Sequence, residues 1–226
     1  MKLGIKARVE DAALVERRRR QIVAAAIALF GKRGYHASTI RDIAAQAGVS
    51  VGLIYQYFGD KEDVLFLAIV DVLDSYRKRI PLVTADIDDP LERLRAAVHA
   101  YCSVIDANVD ATVLAYRETK SLRKARRNVI KQKEADTNAL LARYVEDCIA
   151  AGLFDKRLDV ALFVYQIVMF THAWALKAWH FRPRMSVDEY VARGLDLMLN
   201  PVLAVSRPRR PVSAWRRTRG KRARSP

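Results

Sequence analysis

Residues 39–65 read TIRDIAAQAGVSVGLIYQYFGDKEDVL, and this stretch decides the fold. Ser38 or Thr39 is placed to cap a short helix that ends at Gly48, and Ser50 to cap another that runs through Phe58. Ile43, Ala44 and Ala47 share one face of the first, with Ala44 small where the second must cross closely. Gly48 supplies the left-handed turn between them and Val49 plugs it. Ile54 and Phe58, four apart, anchor the second helix inward. Two short helices joined this way make a helix-turn-helix. What remains of the second helix faces out: Val51, Gly52, Leu53, Tyr55 and Gln56, with no charge among them. These positions suit the major groove, where the first residues of a recognition helix meet base edges. Gly52 allows close approach, and tyrosine hydroxyls donate to phosphates without demanding a sequence. Thr39, with the free amides at its helix start, and Lys61, at the start of the next helix, are candidates for two further phosphates.

Outward from this stretch, the chain reads as helix throughout. Residues 1–15 are expected to form a flexible basic arm, followed by a helix over 16–32 with Ile22, Val23, Ala26, Ile27 and Phe30 at the helical period. Asp60 caps a long helix with Val64, Leu65, Ala68, Ile69, Val72 and Tyr76 on one stripe, expected to end before Pro81. Further helices are expected over about 90–107, 110–122, 124–151, 160–181 and 186–199, about nine in all. The last opens on a capping box of Ser186 and Glu189. Neither strand alternation nor an internal repeat is present. The fold class is therefore all-α, with a DNA-binding unit over 16–61, a helical unit over 62–206, and a disordered basic tail over 207–226.

Charge is distributed unevenly. Residues 1–61 carry eleven Lys or Arg against five Asp or Glu, residues 62–206 carry twenty of each, and residues 207–226 carry nine cations and no acid. Basic ends around a neutral middle point to a polyanion partner. Cys102 and Cys148 lie on apolar helical faces without CxxC spacing, as buried reduced thiols do in a cytoplasmic protein. The N-terminus lacks the apolar core of a signal peptide. The stretch VALFVYQIVMFTHAWALKAWHF, 160–181, is interrupted by Gln166, Thr171, His172 and Lys177, which favours a buried or interface helix over a membrane span.

The stretch IVAAAIALFGKRGYHASTIRDIAAQAGVSVGLIYQYFGDKEDVL resembles the DNA-binding domain of the TetR/AcrR family of bacterial repressors. The matching elements are Phe30 with Gly34, Thr39 with Ile43 and Ala44, the run Ala47–Gly48–Val49–Ser50, and Tyr55, Tyr57, Phe58, Lys61 and Glu62, with Ile54 in place of a leucine. The resemblance implies that Thr39, Arg41, Ser50, Val51, Gly52, Leu53, Tyr55, Gln56, Tyr57 and Lys61 line the DNA surface. Many members carry Lys or Arg where this chain has Val51, and Thr or Ser where it has Leu53, so its base reading leans on thymine methyl groups. Beyond residue 65 the resemblance implies an effector-binding domain whose last two helices pair with a second copy.

LAYRETKSLRKARRNV (114–129) and the tryptophans of WALKAWHFRP (174–183) resemble a subgroup with fatty-acyl or acyl-CoA effectors. Read from the residues, a pocket of Phe66, Tyr101, Tyr116, Phe163, Phe170 and Trp174 would suit a large apolar ligand, with Arg117, Lys120 or Lys177 available to an acidic head group. Arg123 and Lys124 are also within reach of such a group. The same aromatics read equally as core and the cations as surface. His99 and Cys102 have no second pair, so no metal is expected, nor any cofactor. Glu118 beside Arg117 reads as an ion pair, and no nucleophile–base pair or glycine-rich phosphate loop argues for catalysis.

The expectation is a ligand-responsive regulator acting as a homodimer on a palindromic operator, released by a small apolar effector, with no membrane partner. The competing reading is a small-molecule-binding protein or enzyme retaining a vestigial DNA-binding domain. The basic first 61 residues with their intact surface favour the regulator.

Overall fold

The computed structural model describes residues 11–200 and residue 202. Most of the basic arm (1–10) and the basic tail (207–226) lie outside the described residues. Among those described, every regular element is helical. α1 (Ala12–Arg33), α2 (Ile40–Ala47) and α3 (Val51–Tyr57) come first, then α4 (Lys61–Thr84), α5 (Pro90–Ala107) and α6 (Val109–Glu118). A single 3-10 turn (Thr119–Ser121) leads to α7 (Lys124–Ala150), α8 (Val160–Leu176), α9 (Ala178–Phe181) and α10 (Val187–Leu199).

The starts follow the side chains that can take up free amides. Thr39 caps α2, Ser50 caps α3, Asp60 caps α4, Asp89 caps α5 and Ser186 caps α10, each accepting from a backbone N–H three residues on. Gly34 and Gly48 close α1 and α2 at φ 85° and 65°, a region open to glycine at little cost.

Four boundaries differ from the sequence reading. α1 begins four residues early because Asp11 accepts from the amides of Ala13 and Leu14. α4 runs past Pro81, since proline breaks the hydrogen bond behind it and not the turn ahead. Packing of buried Ile80 and Thr84 holds that last turn, with Thr84 Oγ1 2.8 Å from the Tyr144 hydroxyl. α6 stops at Glu118, where the 3-10 turn takes over. The expected 160–181 helix breaks at Lys177, so ten α-helices stand among the described residues where nine were expected. Beyond the break the chain folds back until Arg182 reaches the Asp106 carboxylate that Trp174 Nε1 already holds at 2.8 Å.

α4 is the axis of the fold. It packs on α1, α5, α6 and α7, and α5 in turn packs on α7, α8 and α10. α8 and α10 cross so closely at Gly194 that a Cβ there would overlap the Phe170 ring. No helix among the described residues is long and apolar enough to cross a membrane.

Candidate functional site

α2 and α3 present the surface that the sequence singles out. Ile43, Ala44, Ile54 and Phe58 are buried beneath it. Arg19 from α1 donates to the Tyr57 carbonyl, and Gln21 to that of Ala47, tying both helices to α1. Thr39, Arg41, Ser50, Gly52, Tyr55 and Gln56 are exposed, with Tyr55 at 51%. Val51 and Leu53 are half-buried, resting one side on the core. A Cβ on Gly52 would meet nothing nearer than Ser50 Oγ at 3.9 Å, so no internal packing requires glycine there.

Two expected DNA-facing residues sit elsewhere. Tyr57 is buried at 2%, because it lies three residues after Ile54 and so on the same inward face. Lys61 turns back into the protein: its ammonium donates to the carbonyls of Ser38 (2.7 Å) and Tyr35 (2.8 Å) and lies 4.4 Å from the centre of the Tyr35 ring. Burial pulls its pKa down, partly offset by the charge of Glu118. In this arrangement it closes the α1–α2 connection and is not free for a phosphate.

Behind α3, the start of α4 meets the start of α7 in a cluster of charges. The Arg123 guanidinium lies 2.9 Å from Glu62, and its backbone N–H donates to the same carboxylate. Arg126 pairs with Asp63 and stands over the Phe66 ring at 5.4 Å. Close by, the ring of His36 is 3.1 Å from Ser121 Oγ and 3.6 Å from Glu118. Glu118 is therefore engaged by His36 and Ser121, and the expected pairing with its neighbour Arg117 is absent, Arg117 being exposed.

A cavity of about 580 Å³ lies between α4, α5, α6, α7 and α8. Ile69, Val72, Leu73 and Val168 give it apolar walls; Tyr101, Tyr116 and His172 form a polar patch, and Lys131 and Glu134 reach it from α7. Tyr101 and Tyr116 hold the two sides of the His172 ring, at 3.0 Å from Nε2 and 2.6 Å from Nδ1. Burial lowers the His172 pKa to about 4, so the imidazole is neutral at pH 7.

Of the expected pocket residues, Tyr101 and Tyr116 line this cavity. Phe66, Phe163, Phe170 and Trp174 do not, because each has an aromatic or cationic partner in the core. Phe66 lies under Arg126, Phe163 packs edge-on to Phe154, Phe170 stacks on Tyr190 at 4.6 Å, and Trp174 stacks on Phe181. Arg117, Lys120 and Lys177 point to solvent away from it. The cation at the cavity is Lys131. Among the described residues no group of three His, Cys, Asp or Glu is placed to hold a metal, and His99 pairs with Asp188 at 2.7 Å.

Residues 22–68 match the model of bacterial regulatory proteins of the tetR family, and residues 87–202 match the tetracyclin repressor-like C-terminal domain. The chain belongs to the TetR family. As a TetR-family protein it is a DNA-binding transcriptional regulator and not an enzyme. The HTH-type transcriptional regulator HbdR of Aromatoleum sp. (strain CIB) is 52% identical over 200 residues, covering 88% of this chain and 87% of that protein. The HTH-type transcriptional repressor KstR2 of Mycobacterium tuberculosis is 30% identical over 170 residues, 75% of this chain and 84% of that one. The solved structure of the ketosteroid transcriptional regulator KstR2 of M. tuberculosis shares the fold, with a TM-score of 0.72 at 24% identity, over 88% of this chain and 99% of that one. So does AibR, solved with isovaleryl coenzyme A and operator DNA, with a TM-score of 0.69 at 19% identity, over 80% of this chain and 98% of that one.

Proposed function

We propose that this TetR-family regulator is a repressor that binds a palindromic operator as a homodimer in the cytoplasm and is released by an effector in the α4–α8 cavity. The outward face of α3 carries the reading: Gly52, Tyr55 and Gln56 are exposed and uncharged, and the glycine weakens the helix with no packing gain inside the protein. Thr39, Arg41, Ser50, Val51 and Leu53 complete the surface, with Tyr55 assigned to phosphate and the two aliphatics to base edges. A relative at 30% identity that is named a repressor supports the direction of control. Leu162, Tyr165 and Met169 on α8 and Leu197 on α10 are exposed apolar side chains that a second copy would cover.

The effector reading is an apolar molecule with an anionic group, a fatty-acyl or other acyl thioester first among them. The cavity supports it with largely aliphatic and aromatic walls and with Lys131. A protein of the same fold was solved with an acyl-coenzyme A and its operator. Ligand binding favours one dimer geometry over another, and the two recognition helices then no longer reach successive major grooves together, roughly 34 Å apart. Fluorescence anisotropy of an operator duplex tests this. Saturating acyl thioester is expected to weaken operator binding about 5- to 150-fold, matching typical coupling energies. Release by a cationic drug and by no acyl chain length would overturn the effector class. A monomer with full operator affinity would overturn the dimer.

A further inference from the structure

We infer that the Tyr116 hydroxyl is a committed hydrogen-bond donor aimed into the cavity, and that the ligand carries an uncharged oxygen acceptor, such as a ketone or ester carbonyl, to meet it. This rests on the cavity being the effector site. It follows from counting protons along one chain of side chains.

Tyr101, His172 and Tyr116 share two hydrogen bonds, one at each ring nitrogen. The two phenols and a neutral imidazole carry three protons between them. Each bond uses one, so one hydroxyl proton is left to find an acceptor elsewhere. If His172 carries its proton on Nε2, the spare one belongs to Tyr101. That residue is 3% exposed, and His172 is its hydrogen-bond partner among the described residues. Tyr76 packs edge-on at 4.3 Å, with no hydrogen bond to Tyr101 among the described residues. Although Tyr101 touches the cavity wall, so little of it is open that a donor there is far harder to satisfy than one on Tyr116.

If instead the proton is on Nδ1, Tyr101 donates to Nε2, and Nδ1–H donates to Tyr116. The spare proton then belongs to Tyr116, which is 47% exposed on the cavity wall. A second contact agrees. The Tyr116 hydroxyl lies 3.9 Å from the Met169 sulfur, and a thioether only accepts, so Tyr116 must be the donor there. Sulfur at that distance is a weak acceptor, readily displaced by an oxygen. A single neutral donor satisfies a carbonyl oxygen. It does not satisfy a carboxylate, and the neutral imidazole behind it adds no counter-charge. Tyr101 is thus a positioning residue that sets the His172 tautomer, and through it the direction in which Tyr116 points its proton.

Two measurements on the full-length protein test this. In the first, nitrogen NMR of labelled histidine reads the tautomer of His172: Nδ1–H is expected in the wild type, with mixing in Tyr101→Phe. An Nε2–H tautomer in the wild type would overturn the inference whatever the ligand. In the second, 2-acetylnaphthalene and 2-isopropylnaphthalene, alike in shape but differing in the oxygen, are titrated while Met169 methyl and His172 signals are followed. The affinity ratio in favour of the ketone is expected to fall about five-fold in Tyr116→Phe, the loss of one ordinary hydrogen bond. If both probes bind in the cavity and the ratio is unchanged by the variant, the donor assignment fails and the cavity reading stands. If neither moves the Met169 and His172 signals, the cavity reading fails and takes this inference with it.

Discussion

The DNA-facing surface stands on helices of eight and seven residues, each opened by its own capping side chain and held to α1 by a few contacts. The cavity is built the opposite way, from single residues on five helices of ten to twenty-seven residues, none of which is itself the site. The first surface can be altered residue by residue with little consequence for the fold. The second cannot, because the neighbours of its lining residues are the core. Substitutions should therefore separate binding from stability in the first region and mix them in the second.

The largest effect is expected at Trp174→Ala. The indole is 2% exposed and holds Asp106, so its loss should cost about 3–5 kcal/mol in urea unfolding. Unchanged stability with a selectively blunted effector response would instead place Trp174 at the ligand. Next comes acidification. The folded protein holds His172 at about pKa 4, while the unfolded chain titrates near the ordinary 6.5, so between these values the unfolded state binds more protons. Stability should fall by about 3 kcal/mol as pH drops through that window, relative to a His172→Asn variant measured in parallel. A parallel pH profile for the two would show that His172 is not buried neutral.

Arg126→Met should cost about 1.5–3 kcal/mol, since it strips the cationic partner from buried Asp63 and leaves it the amides of Gly59 and Asp60. Because α7 also carries Lys131 and Glu134, the same change should weaken the effector's hold on operator affinity, read as a smaller ratio of affinities with and without ligand. Gly52→Ala should move the two properties in opposite directions. Thermal stability should rise, by up to about 1 kcal/mol, while operator affinity falls. A joint rise would mean that no partner approaches the helix there. The smallest change is expected from Tyr55→Phe, with no shift in unfolding and about a five-fold loss of binding on operator and random duplexes alike. Leu53→Ala should lower discrimination at particular base pairs, and a uniform loss over operator variants would remove its base-reading role.

How far each region was legible follows from the range of the interactions that build it. Gly48, Ile54 and Phe58 act within one or two turns of chain, so spacing alone located α2, α3 and their outward face. The motif places Tyr57 on the DNA surface, but its three-residue offset from Ile54 turns it inward. Lys61 turns inward for a different reason: the carbonyls it caps lie more than twenty residues back, and nothing local announces them. The cavity depends on how long helices are rotated against one another. Aromatic content pointed to Phe66, Phe163, Phe170 and Trp174, but large rings fill space, and these fill the core. His172 passed as an interruption in an apolar helix, and Lys131 and Glu134 look like any solvated pair on a charged helix. A lone histidine amid apolar residues, with tyrosines elsewhere able to reach it, was the available signal.

Lys61 and the helix it begins have a practical consequence for protein engineering. α4 closes the DNA-facing unit with its first side chain and walls the cavity with Ile69, Val72, Leu73 and Tyr76 about two to four turns later. A chimera that joins this DNA reader to a foreign sensor at residue 61 would strand Val64, Leu65 and Phe66 against the wrong surface. The natural graft point lies in the 85–89 link between α4 and α5, so the reader can be transplanted only with one wall of its own sensor attached.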